Sequence, residues 1–278
     1  MSDWDETEHP RDTRGRFRDK SGGWVEQVAD RLVDPGYVRG QPIDLDPDVI
    51  ERLARVRARD MAEFVELGSD RVGGDSRSAE IAQMQGWDAP GETGTPQQLQ
   101  DLLEQGGVRL WRGVTPPVSS VDWTGGLFPG KGSPQWPTEA IAQTVRDHKT
   151  GPVRYGYGIY GNGMYTSVNA DSASAYAMDG EREAAIRMVL RPGARVAQWE
   201  DREEWYDEYE RRLGEMGLPE DTRRNLTDYG LAAMLLGYDA IHVPPGWDDG
   251  TDWDDAQYVV LNRTAVLFEA EPGDDWED

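Results

Sequence analysis

Strand and helix signals are dense along this chain, yet nowhere do they fall into the regular alternation of a βαβ fold. Alternating runs predict short strands at Val108–Arg112, Ala185–Leu190, Arg195–Gln198 (after a turn at Pro192-Gly193), Tyr238–Val243 and Tyr258–Phe268, the last interrupted at Asn262-Arg263. Helical signals sit between them. Asp46-Pro47 is a capped start with a Leu45/Ile50 staple, and Val49, Leu53, Val56, Phe64 and Val65 give one apolar face as far as Leu67. Thr95-Pro96-Gln97-Gln98 is a capping box ahead of Leu99, Leu102 and Leu103, closed by Gly106-Gly107. Thr138–His148 turns Ile141 and Val145 inward, Glu203–Gly214 reads as a very acidic, exposed helix, and Asp228–Leu236 stops at Gly237. Many short strands mixed with helices predict an α+β domain.

The chain of 278 residues allows one large domain, or one of ordinary size with an appendage. Hydrophobic residues are only 37%, but 11 Trp and 11 Tyr supply bulky core material. The balance of 53 acidic against 29 basic residues, a net charge of −24, repels phosphate backbones and anionic lipid, so a nucleic-acid-coating or membrane-surface role is not expected. The absence of cysteine excludes disulfides, thiolate metal sites and a cysteine nucleophile. His9, His148 and His242 are too few and too scattered for a histidine zinc site or a Ser-His-Asp triad, and no metal is expected. No run of about 18 apolar residues predicts a membrane span, and the N-terminus lacks the apolar core of a signal peptide.

By composition, residues 1–23 read as a flexible arm in which His9–Lys20 carries five basic and two acidic side chains, net +3. Residues 24–79 read as a helical region, with a loop or linker over 68–79. Residues 80–272 form the main domain, and 273–278 an acidic tail.

Chemistry concentrates in Gly158–Ser167, where glycine-flanked tyrosines and a Thr-Ser pair precede a helix-starting run, Asp171–Ala177. Glycines admit close backbone approach, tyrosines offer flat faces, and hydroxyls make small hydrogen-bonding groups. Such a segment suits a nucleotide or a nicotinamide. The other elements are Leu110-Trp111-Arg112-Gly113-Val114, an arginine ending a strand before glycine; the strand Gly237–Ile241; and Asp255–Thr264.

In this order the four elements resemble the ADP-ribosyltransferase fold, in particular the transferase domains of phage and prophage head-associated proteins. The similarity spans roughly 80–270 and includes Gln85-Gly86-Trp87-Asp88; His9-Pro10-Arg11 to Arg16-Phe17 resembles an arm of phage minor head proteins. The resemblance implies a split β-sandwich whose cleft, between two roughly perpendicular sheets, holds NAD as substrate. It assigns the NAD phosphates to Arg112, beside Gly113, and a guanidinium fork suits them. The Ser-Thr-Ser stretch of the arginine–serine–glutamate branch falls on Tyr165-Thr166-Ser167. Tyr165, after Gly163, matches the branch whose tyrosine stacks on nicotinamide, and Tyr176 is a second stacking candidate. Thr166 or Ser167 braces the site.

The family's Glu-x-Glu falls on Asp255 and Gln257. Glutamine can hold the ribose but brings no charge to the oxocarbenium-like transition state, a loss on the order of 3–4 kcal/mol. Asp252, Asp254 or Asp255 can supply the charge from the same loop, and Trp247 and Trp253 can rim the acceptor site. Two readings stay open. One is a phage-type NAD-dependent mono-ADP-ribosyltransferase that modifies a host macromolecule, working in the host cytoplasm or carried by the virion. The other is a non-catalytic protein of the phage head with a degenerate transferase domain.

Overall fold

The computed structural model describes residues 36–62, 76–114, 143–149, 158–174, 185–246 and 255–270, together with the backbone of 32–34, 63–67, 138–142 and 150. Strands β1 (Leu32–Asp34) and β2 (Tyr37–Val38) make a small antiparallel pair. Next come α1 (Pro47–Leu67), α2 (Ser76–Gln85), β3 (Glu92–Gly94), α3 (Pro96–Glu104), β4 (Val108–Gly113) and α4 (Thr138–Thr150). Then follow β5 (Met164–Ser167), α5 (Ala170–Ser174), β6 (Ala185–Leu190) and β7 (Val196–Gln198). The last elements are α6 (Arg202–Glu215), α7 (Glu220–Arg224), α8 (Tyr229–Leu235), β8 (Ala240–Val243), β9 (Gln257–Val260) and β10 (Val266–Glu269).

The helix starts follow from their caps. Asp46 Oδ1 accepts from Val49 N at 2.9 Å, and Asp228 Oδ1 from Leu231 N at 2.9 Å. Thr95 and Gln98 close a full capping box on α3. Gly237 ends α8's turn at φ +77°, where a Cβ would stand 2.2 Å from the backbone of Gln41, so only glycine fits.

Strands β3 to β10 form one mixed sheet in the order β3-β10-β6-β4-β5-β9-β8-β7. Its edge pairs β3/β10 and β7/β8 are parallel, and the inner pairs are antiparallel. The fold is therefore α+β with one large mixed sheet. That sheet cannot be flat. Strands β6 and β7 lie five positions apart, about 24 Å in a flat sheet. The chain from Leu190 to Val196 reaches only about 20 Å when fully extended, and it is shortened further by a turn in which Ala194 N donates to Arg191 O. The sheet must roll until its ends approach.

Rolling gives it two unlike faces. Leu110, Ile186, Met188, Leu190, Ala240, Val260, Val266 and Phe268 point inward and, with Tyr37, form one apolar core. On the outer face Ile241, Val243 and Val259 pack with Ile50 and Leu53 of α1, Ile81 of α2, Trp205, Tyr209 and Leu213 of α6, and all of α8. Leu99 of α3 covers Val189 and Leu267.

Asp239 pins the closed end. It is fully buried, and its carboxylate accepts from Tyr37 Oη (2.8 Å), Gly40 N (3.0 Å), Arg195 N (2.7 Å) and Asn262 Nδ2 (2.7 Å). Burial pushes this carboxyl up, and the four hydrogen bonds oppose the shift. All four groups are donors, so the geometry fits the ionised form.

Three expectations change. Tyr258–Phe268 is not one interrupted strand: β9 pairs with β5 and β8, while β10 pairs with β3 and β6. Between them Asn262 N donates to Asp239 O, and the Asn262 side chain caps a short 3-10 turn, Arg263–Ala265, that redirects the chain. Helix α6 is not simply exposed, because Trp205, Tyr209 and Leu213, spaced by four, enter the core. The division expected at 79/80 falls inside α2, and α1 shares its core with α2 and α8.

Candidate functional site at the β4–β5 seam

The sheet's ladder is thinnest between β4 and β5, where Trp111↔Ser167 is the one register pair. Beyond it, Arg112 bridges the strands with its side chain: Nη1 donates to Tyr165 O at 2.8 Å. That is the only side-chain hydrogen bond of Arg112 among the described residues, and its Nε is buried with no partner. Part of the residue stays accessible, but the guanidinium is sunk enough that burial lowers it to about 10. At neutral pH it is a charged group that meets no carboxylate among the described residues.

Strand β5 lies between β4 and β9, so Arg112, Tyr165-Thr166-Ser167 and Gln257 occupy three neighbouring strands. Register then divides them between faces. Ser167 stands opposite Gln257, and Tyr165 opposite Val259, on the outer face. Thr166 stands opposite Tyr258 on the inner face, as does Arg112 opposite Ile186. The two groups therefore lie on opposite faces of the sheet rather than on one surface.

The local bonds assign several of these side chains structural tasks. Tyr165 Oη donates to Gly161 O at 2.8 Å and accepts from Tyr160 N at 3.0 Å, fastening the turn before β5. Its ring stacks on Tyr160 at 6.3 Å, and burial pushes the phenol up. Thr166 Oγ1 donates to Tyr258 O at 2.8 Å, and Ser167 Oγ accepts from Asn169 N at 3.1 Å. At Gly163 a Cβ would lie 2.3 Å from Val259, so this glycine lets β5 close on β9. Gly113 ends β4 opposite Ala185. Ser172 of α5 donates to the Asp255 carboxylate, which draws that aspartate to the end of β5. Tyr176, Trp247, Asp252, Trp253 and Asp254 lie outside the described residues.

Three residues to which the sequence assigned no functional role, His242 being read as a core histidine, border the same inner surface. Tyr258 pairs with His242, and His242 with Gln198. His242 Nδ1 lies 2.7 Å from Gln198 Oε1, and its ring lies 4.8 Å from that of Tyr258. The signal for them was period two: Val260 and Ala240 are core positions, so Tyr258 and His242 must share their face.

Among the described residues there is no group of three or more His, Cys, Asp or Glu able to hold a metal, and no helix long and apolar enough to cross a membrane. The hollows beside Met61 on α1, beside Trp205 on α6 and between α6 and α7 do not include Arg112 or Gln257. No protein-family model, curated protein or solved structure matches the chain.

Proposed function

We propose that this protein binds NAD across the β4–β5 seam of an ADP-ribosyltransferase-like split β-sandwich and breaks the nicotinamide–ribose bond. One observation carries the reading: Arg112 keeps a buried positive charge that meets no acidic side chain among the described residues, beside the single rung that joins β4 to β5. An unpaired buried cation costs several kcal/mol unless an anion arrives to compensate it, and a guanidinium fork suits a diphosphate. The rolled sheet, joined at its middle by a single ladder pair, supports the split-sandwich part of the reading.

Gln257 and Ser167 stand on the face opposite Arg112, so in this reading they reach the ribose only around the strand ends, Gln257 being the first residue of β9 and Ser167 the last of β5. The bond between ribose C1′ and the nicotinamide nitrogen breaks, and its electron pair leaves with nicotinamide. An acceptor nucleophile on a host macromolecule, or water, then bonds C1′ and loses a proton. Asp255 is the nearest described carboxylate in the chain, two residues before Gln257. Its bond to Ser172 holds it beside α5.

The second reading, a non-catalytic protein of the phage head, is favoured by the neutral amide at Gln257. Incubation with NAD and chromatography of released nicotinamide separates the two. Catalysis predicts release that vanishes in Arg112→Ala. No release from the native chain or from Gln257→Glu, with no NAD-dependent thermal shift, rejects the enzyme.

A further inference from the structure

The inner face carries a row of polar and aromatic side chains set by register alone. Gln198, His242, Tyr258 and Thr166 stand opposite one another on β7, β8, β9 and β5, and Arg112 follows on β4. This row lies one step from Val196, Ala240, Val260 and Met164, which belong to the apolar interior.

Three members of the row have unmet hydrogen-bonding capacity. Arg112 Nε has no partner. Because Gln198 Oε1 accepts from His242 Nδ1, the Nε2 of His242 carries a lone pair, and among the described residues nothing donates to it. The Tyr258 hydroxyl likewise has no partner there. Both rings are half-buried, tilted 39° to each other at 4.8 Å, and reachable from solvent. Burial lowers His242, which keeps the imidazole neutral and its Nε2 an acceptor at neutral pH. The head of Arg112 reaches β5, one to two strand spacings from the ring pair, roughly 5–10 Å.

We propose that the His242–Tyr258 pair seats the adenine of the dinucleotide whose diphosphate meets Arg112, with His242 Nε2 accepting from the exocyclic amino group. This rests on the NAD reading above and adds which end of the molecule lies on which strands. A flat base over a tyrosine face gains stacking, and a lone acceptor distinguishes an amino-bearing purine from one with a carbonyl in its place.

The test uses the full chain and titrates NAD, ADP-ribose, AMP, IMP and inorganic pyrophosphate by calorimetry. Arg112→Ala is expected to lose every phosphate-bearing probe. Tyr258→Ala is expected to weaken AMP and ADP-ribose by about 5- to 100-fold and leave pyrophosphate unchanged, while Tyr258→Phe retains most of the affinity. His242→Ala is expected to abolish the preference for AMP over IMP. Should AMP binding be unchanged in Tyr258→Ala, or pyrophosphate fall in step with AMP, the adenine assignment is overturned while NAD binding through Arg112 stands. Should the native chain bind neither NAD nor ADP-ribose, both readings fall together.

Discussion

Arg112 Nη1 donates to the Tyr165 carbonyl at 2.8 Å, holding β4 to β5 past the last rung of their ladder. That bond joins a charge to a neutral group, so little is gained by keeping the charge in the empty protein. Arg112→Met is expected to leave ligand-free stability unchanged or raise it by up to about 4 kcal/mol while abolishing the NAD-dependent thermal shift. Differential scanning fluorimetry with and without NAD measures both. A loss of 3 kcal/mol or more in the ligand-free protein, read from denaturant melts, would instead make Arg112 a structural strut.

Gln257→Glu places a carboxylate opposite Ser167 without lengthening the side chain. Restored charge at the ribose is expected to raise nicotinamide release by 10²–10³, on the order of a preorganised electrostatic group. Single-turnover kinetics with excess enzyme would read it. An unchanged rate excludes this position from the chemistry.

Replacing Asp239 by alanine strands four donors at once: Tyr37 Oη, Gly40 N, Arg195 N and Asn262 Nδ2. A loss of about 3–5 kcal/mol is expected from urea melts. Asp239→Asn keeps the shape but turns an amide NH2 towards donors, so it is expected to fall between alanine and the native residue.

Tyr37 and Tyr209 are fully buried, and desolvation raises both phenols far above their ordinary value. A raised acid contributes its stability below the unfolded pKa near 10 and loses it as pH rises towards the folded value. Each should remove about 1.4 kcal/mol per pH unit above pH 10. Absorbance of phenolate near pH 11 is expected to appear together with loss of near-UV dichroism; release of all tyrosines while the fold persists would contradict it.

Tyr165→Phe keeps the ring against Tyr160 but leaves Tyr160 N without its acceptor. It is expected to cost about 1–3 kcal/mol and leave NAD affinity within twofold, as measured by melts and calorimetry. A large loss of affinity at unchanged stability would return Tyr165 to the ligand.

Local chemistry was what the sequence displayed best. The capping box at Thr95 and Gln98, the stop at Gly237 and the turn at Pro192-Gly193 depend on neighbours in the chain, and each stands where composition put it. Strand partners were not legible, because pairing is decided by residues far away. Tyr258–Val260 and Val266–Phe268 read as one run, yet they serve opposite parts of the sheet. The tyrosine, threonine and serine after Gly163 announced a site, but which face each would take depended on β9's register, and one step exchanges the faces. The Gly-Tyr-Asp-Ala-Ile strand gave no hint that its aspartate would anchor four distant donors. Helix α6 looked solvated because acids outnumber its three inward residues.

The bond from Tyr37 to Asp239 joins residues 202 positions apart, and this sets a timetable for synthesis. Strands β4 and β6 leave the ribosome early, but their sheet gains β9 and β10 only after roughly 80 further residues, about 4–16 s of elongation. For that interval the nascent chain presents unpaired strand edges to its neighbours, the condition that invites association between copies. The many carboxylates of the chain then act as a guard, since mutual repulsion between copies keeps half-made sheets apart until the last strands arrive.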